Sequence, residues 1–288
     1  MCIYSMYTTH YTIGNIKHVW KTDNMINENG VIEFTPLQEY IINGLLNSLR
    51  VWMRLAKQYN IKWFALSGTL LGAIRQHGII PLDDDIDLGV TIDDYQTLKH
   101  MTTIKLDDNY HIEQSDCGFR FFNNNIRFPF IDIFVMAKDP NDKTRMIYAG
   151  PFYNDEPRFY VHEIFEKEWL PVKWINNLKT AKFEDMEVPV PDKSTEYLKR
   201  VYGKDCLTRY VKDMRIQILH NMLMYVDWYS IEYVTMAIND ALQLDRHTDR
   251  KKHMTLLLTR LLNNVLIERN SLQQTVVNVL NNVKIYCE

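Results

Sequence analysis

Residues 67–90 read SGTLLGAIRQHGIIPLDDDIDLGV, and the pattern within this stretch decides how the rest of the chain is understood. In its second half, PLDDDIDLGV, Asp83, Asp85 and Asp87 stand two residues apart. In an extended chain that spacing puts all three side chains on one face, while Ile86, Leu88 and Val90 point the other way, toward a core. Carboxylates gathered on one face repel one another and raise each other's pKa values. A hard divalent cation such as Mg²⁺ removes that repulsion, because it binds through a few carboxylates and leaves positions open for phosphate oxygens. An isolated acidic run is more often a solvated turn, but the interleaved apolar residues argue for the start of a buried strand. An EF-hand loop beginning at Asp83 would need Gly at position 88 and Glu at 94, where this chain has Leu88 and Asp94.

Upstream, the short aromatic and apolar run over 61–66 (IKWFAL) predicts a strand. Ser67-Gly68-Thr69 breaks it, and 70–76 predicts a short helix. Backbone N–H groups and a hydroxyl at a helix start suit a phosphate, so Gly68 and Thr69 are candidate phosphate ligands. Arg75, a turn or two further on, can reach the same group. Taken singly, a Gly-Thr pair is more often a turn and Arg75 a surface arginine. Downstream, RFPFIDIFVM over 127–136 carries one acidic residue, Asp132, set among apolar neighbours in a strand predicted over 126–135. Buried carboxylates are rare unless paired or metal-bound. Asp132 is therefore salt-bridged to Arg120 or Arg127, or it is a third metal ligand or general base.

The chain around these motifs has 288 residues, 46% of them hydrophobic, enough for a sizeable core. With 33 basic and 36 acidic side chains the net charge is −3, which gives no support for a nucleic-acid partner. Cys2, Cys117, Cys206 and Cys287 are too scattered for a zinc site or a disulfide scaffold, and reduced thiols are expected. No apolar run has the length of a signal h-region or a bilayer span, so no integral membrane segment and a cytoplasmic location are expected.

Thr35 and Pro36, with Gln38 placed for a capping box, open a helix expected to run over 36–59 with Leu37, Ile41, Leu45, Leu49, Trp52 and Leu55 on its apolar side. Further strands are expected over 110–113 and 119–122, with Asn123-Asn124-Asn125 as a hairpin turn. Extended pieces follow at 181–183 and 187–189, then a helix over Ser194–Tyr202 stopped by Gly203. Beyond it, Val211, Met214, Ile218, Met222, Val226, Tyr229 and Tyr233 step by three or four, the stripe of a long helix, with two more helices over 255–268 and 271–283. The division expected is an N-terminal extension or edge hairpin (1–33), a mixed core (34–205) and a helical region (206–288). The fold class is α+β.

Gly68-Thr69, then Asp85-x-Asp87, then Asp132 on a later strand resembles the order of motifs in the polymerase-β nucleotidyltransferase superfamily. The whole stretch 67–90, with IDIF around Asp132, WLPVK over 169–173 and VPVPDKSTEYLKRVYGKD over 188–205, more specifically resembles the LicD family. That family includes bacterial phosphocholine transferases and the eukaryotic fukutin and fukutin-related proteins. The resemblance implies a nucleotidyltransferase core with a mixed β-sheet flanked by helices. It further implies transfer of a phospho-alcohol from a CDP-linked donor to a glycan hydroxyl, releasing CMP. Asp85, Asp87 and Asp132 then match the catalytic and metal positions for Mg²⁺ or Mn²⁺, with Asp83 a possible further ligand. Gly68, Thr69 and Arg75 match the donor-binding segment. Lys173, Tyr202 and Gly203 fall in downstream motifs, where Lys173 can neutralise donor phosphate or simply be a surface lysine. Leu82 stands where the family usually has Trp, and the cysteine-rich insertions and membrane anchor of some eukaryotic members have no counterpart here. A nucleotidyltransferase that releases pyrophosphate from an NTP and a non-catalytic scaffold on the same fold are the competing readings.

Overall fold

A computed structural model describes residues 7–13, 16–22, 36–80, 83–106, 109–125 and 127–208, with side chains from residue 40 onward. The Thr35 cap and the helices expected after residue 208 lie outside these residues. Tyr7–Ile13 (β1) and Ile16–Thr22 (β2) form an antiparallel hairpin. Pro36–Gln58 (α1) is the helix expected from the apolar stripe, and Ile41, Leu45, Leu49, Trp52 and Leu55 are all buried. Trp63–Ala65 (β3) leads into Ser67–Arg75 (α2), which returns the chain to Asp85–Thr91 (β4). A 3-10 turn at Ile92–Asp94 and the helix Tyr95–Met101 (α3) precede Tyr110–Ser115 (β5), Gly118–Asn123 (β6), Phe130–Lys138 (β7) and Arg145–Tyr148 (β8). Phe152–Tyr153 (β9) and Glu156–Pro157 (β10) pair as a small hairpin before Tyr160–Ile164 (α4), Leu170–Pro171 (β11) and Val172–Asn176 (α5). Lys179–Phe183 (β12) and Met186–Val190 (β13) make a separate hairpin, and Ser194–Tyr202 (α6) ends at Gly203, whose φ of 98° suits a residue without a Cβ.

The main sheet has seven strands and β7 is its hub. On one side β7 runs parallel to β4, with Asp85 opposite Phe130 and Asp87 opposite Asp132. On the other side it pairs antiparallel with β6 along Phe130–Phe134 and with β8 along Met136–Lys138. The pleat then separates two chemistries. Ile86, Leu88, Val90, Ile131, Ile133, Val135, Phe119 and Phe121 share one face, all fully buried, and α1 packs on that face with Trp52 5.7 Å from Phe121 between ring centroids. Asp85, Asp87, Asp132 and Arg120 share the opposite face. The architecture is a mixed α+β fold with helices flanking a mixed sheet.

Several boundaries differ from those read in the sequence. The strand expected over 61–66 is confined to β3, and α2 begins at Ser67 rather than residue 70. Ser67-Gly68-Thr69 is therefore the first turn of the helix and not a break before it, following an extended Leu66 (φ −135°, ψ 168°). The strand expected from residue 126 begins at Phe130. Arg127 is left-handed (φ 45°) and Pro129 carries no N–H for a ladder, so neither continues a strand. The Asn turn is present, with the Asn125 N–H donating to Asn123 Oδ1 and the Arg127 N–H to the Asn123 carbonyl. Among the described residues no helix is long and apolar enough to cross a membrane.

Because Leu45 is fully buried between α1 and the sheet, Leu45→Ala is expected to destabilise the fold by about 2–5 kcal/mol. A urea melt followed by circular dichroism measures this.

Candidate functional site

The polar face of the sheet is organised around Asp87. Its backbone N–H donates to Thr69 Oγ1 at 2.8 Å, its carbonyl accepts from the Leu66 N–H at 3.1 Å, and its carboxylate Oδ2 accepts from the Gly68 N–H at 3.2 Å. That last donor is free because the first N–H groups of a helix have no intrahelical partner. Thr69 and Gly68 thus bind α2 to the acidic strand. A Cβ built on Gly68 would lie 2.8 Å from Asp83 Oδ2 and 3.6 Å from Asp87 Oδ2, so any larger residue there would require the Asp83 carboxylate to move.

Asp83 precedes β4, so strand alternation does not govern it, yet its carboxylate still reaches Gly68. Asp84, which alternation passes over, is buried, and ligand atoms of Asp83, Asp84 and Asp85 all lie within 4.8 Å of one another. Period-two reasoning failed for Asp84 because the ladder begins one residue later. Two overlapping acidic groups result, Asp83-Asp84-Asp85 along the chain and Asp85-Asp87-Asp132 across the parallel strands, with Asp85 in both.

Asp132 faces Arg120 across the antiparallel β6–β7 pair, and the guanidinium binds both carboxylate oxygens, Nε to Oδ1 at 2.9 Å and Nη2 to Oδ2 at 3.4 Å. The side chains are 16% and 14% exposed, so this is a half-buried, two-point pair rather than a surface contact. Arg120 also lies 4.1 Å from the Phe130 ring centroid. Arg127, the other partner considered for Asp132, bonds Glu113 at 2.6 Å instead.

The electrostatics are those of a cation site. Burial, then Asp87, Asp83, Asp84 and Asp132, push the Asp85 carboxyl well above the usual range. Burial, Asp83, Asp132 and Glu168 push Asp87 up as well, opposed by the Gly68 N–H. Crowded carboxylate oxygens are the donor chemistry that Mg²⁺ or Mn²⁺ takes, and the residues fit such an ion.

Glu168 stands in no pattern of period or spacing that singles it out. Its Oε2 accepts from Ser67 Oγ at 2.6 Å, Tyr148 OH at 2.6 Å and Tyr197 OH at 2.9 Å, gathering α2, β8 and α6. The nearest signal was positional, since Glu168 immediately precedes the WLPVK motif. Tyr202, 41% exposed, has its phenol pushed far up by burial and by Glu168, Tyr197, Asp87 and Asp83, which sets it beside the acidic face. Arg75 joins α2 to the segment after α6, through Nε to Gln76 Oε1 at 2.8 Å and Nη1 to the Cys206 carbonyl at 3.4 Å. Lys173 is exposed on α5, with no bond drawing it to the acidic group.

Gly68→Ala is expected to force the Asp83 carboxylate off the start of α2 and weaken Mn²⁺ binding by about tenfold. Titration of Mn²⁺ by electron paramagnetic resonance reads this directly.

Residues 60–193 match the family described as LicD/FKTN/FKRP, nucleotidyltransferase domain. The chain is 28% identical over 203 residues to an uncharacterized protein of Rickettsia prowazekii, covering 65% of this chain and 64% of that one. It is 25% identical over 248 residues to the lipopolysaccharide cholinephosphotransferase LicD of Haemophilus influenzae (72% of this chain, 92% of that one). It is 26% identical over 191 residues to the ribitol-5-phosphate transferase FKTN of Mus musculus (58% and 36%). The matched segment holds β4, β7, the acidic residues and Glu168, and residues 60–193 of this chain belong to the LicD/FKTN/FKRP nucleotidyltransferase family.

Proposed function

We propose that the chain transfers a phospho-alcohol, such as phosphocholine or an alditol phosphate, from a CDP-linked donor to a glycan hydroxyl and releases CMP. In this reading 34–205 is a polymerase-β-like nucleotidyltransferase core. The observation that carries it is the parallel pairing of Asp87 with Asp132, with Asp85 on the same face and the start of α2 closing over them. The printed names of the Haemophilus and mouse relatives, a cholinephosphotransferase and a ribitol-5-phosphate transferase, support the substrate class.

Asp85, Asp87 and Asp132 would hold Mg²⁺ or Mn²⁺, with Asp83 or Asp84 filling out the shell. The bound ion supplies charge neutralisation for the donor diphosphate and for the departing CMP. Arg120 binds both oxygens of Asp132 and so fixes the orientation of the carboxylate. The Gly68 N–H is given to Asp87, which leaves the Thr69 hydroxyl hydrogen as a donor toward phosphate oxygens, and Arg75 and Lys173 would have to turn from their present positions to join it.

Asp85→Asn is expected to lower CMP release by at least about 100-fold, measured over a panel of CDP-linked donors with Mg²⁺ or Mn²⁺. Near-normal turnover would sink the assignment, and pyrophosphate released from CTP would replace it with NTP-dependent nucleotidyl transfer. The same substitution should make the metal-free protein more stable. A folded-state pKa above the unfolded one means a penalty absent below the ordinary carboxylate range, which grows as pH rises toward the raised value. Asn removes that penalty, so the metal-free melting temperature at neutral pH should rise by about 2 °C or more, while stabilisation by added Mg²⁺ is lost. Arg120→Lys, which gives up the two-point contact, is expected to cut kcat by roughly tenfold with the fold intact.

A further inference from the structure

The hydroxyl cage around Glu168 has no part in the reading above. Three hydroxyls from three elements converge on one oxygen, Oε2. Tyr148 and Tyr197 are at most 1% exposed, and burial together with the Glu168 charge holds both phenols protonated, so both stay donors. Ser67 reaches the cage from a left-handed backbone (φ 44°), a conformation unfavourable for a non-glycine residue that persists where the surroundings enforce it. Oε1 makes no hydrogen bond with any described residue, and Glu168 is partly exposed. The carboxylate is thus locked through one oxygen and offers the other.

Its neighbours on this face are engaged differently. Both oxygens of Asp132 face Arg120, and Oδ2 of Asp87 accepts from Gly68. Carboxylate oxygens of Asp83, Asp84 and Asp85 lie within 4.8 Å of one another. Glu168 stands beside this group, one residue of α2 away: Ser67 bonds Glu168 and the next residue, Gly68, bonds Asp87. A carboxylate fixed through one oxygen, its other oxygen without a bond to any described residue and next to the acidic face proposed to hold the donor, is placed for proton transfer.

We propose that Glu168, rather than Asp132, is the general base of the transfer, receiving the acceptor hydroxyl's proton on Oε1. This rests on the reading of the chain as a phospho-alcohol transferase. The acceptor oxygen bonds to the phosphorus bearing the alcohol as its proton passes to Glu168. The bond from that phosphorus to the bridging oxygen breaks, and CMP leaves with that oxygen and the electron pair. Glu168 then returns the proton to water.

Two variants separate a base from a brace. Glu168→Gln keeps an oxygen for the three hydroxyls but cannot take a proton, whereas Glu168→Asp keeps a carboxylate but withdraws it from the cage. CMP release is measured for each with the CDP-linked donor that the wild type uses best, alongside the melting temperature and Mn²⁺ affinity. Glu168→Gln is expected to lose about 10²–10⁴-fold in kcat, with donor KM and Mn²⁺ affinity within about threefold of wild type, and Glu168→Asp to retain more activity than Gln. Turnover by Gln equal to or above that of Asp overturns the proposal, as does a loss in Gln matched by an equal loss of Mn²⁺ affinity. A wild type that releases CMP from no donor overturns the transfer reading and the base with it. An active wild type with an equally active Gln variant overturns the base alone.

Discussion

Two like charges set directly opposite each other across paired strands are unfavourable, and the parallel ladder of β4 and β7 imposes that arrangement on Asp87 and Asp132. The polar face of the sheet can be understood as the response. Arg120 enters from β6 to pair with Asp132, and α2 turns its first free N–H onto Asp87. Gly68, having no Cβ, lets the Asp83 carboxylate lie close against the start of α2 as well. Even so, Asp85 and Asp87 remain well above the ordinary carboxylate range. The fold therefore carries a standing electrostatic penalty on this face when its carboxylates ionise.

The arrangement is held from the opposite side of the same strands. Ile86, Leu88, Ile131 and Ile133 lie under α1 with no exposure. A slip of one residue in either strand would bury carboxylates against α1 and bring isoleucines to the polar face, so hydrophobic burial fixes the register that the charges oppose. Glu168 joins the second layer of supports, tying the start of α2 to β8 and α6 through hydroxyls alone. Its own charge adds to the pressure on Asp87. The acidic face is thus braced by packing beneath it and by directed hydrogen bonds around it.

Much of this was legible in the residues. The stripe of α1, the alternation of β4, the single carboxylate of β7 and the glycine after α6 are local patterns of period and composition, and each lies close to where it was expected. The misreadings share a cause. Asp84 was passed over because alternation was extended past the end of the ladder, and α2 was started late because Ser67-Gly68-Thr69 reads as a break when its tertiary partners are unknown. Asp132 had two readings that sequence could not separate, and the Arg120 pair realises one without removing the carboxylate from the acidic face. Glu168 has no local pattern at all; its meaning comes from residues up to 101 positions away.

By itself, the sequence determined which faces of the strands are apolar and which are acidic, because side-chain direction alternates with a fixed period and burial selects the apolar set. It also determined the family, through a long ordered run of motifs. Only the tertiary structure decided which carboxylates meet. That depends on the parallel register of strands some 45 residues apart, on a glycine that lets a helix approach, and on a glutamate drawn in by three distant hydroxyls. Such contacts follow from chain topology, which no local periodicity encodes.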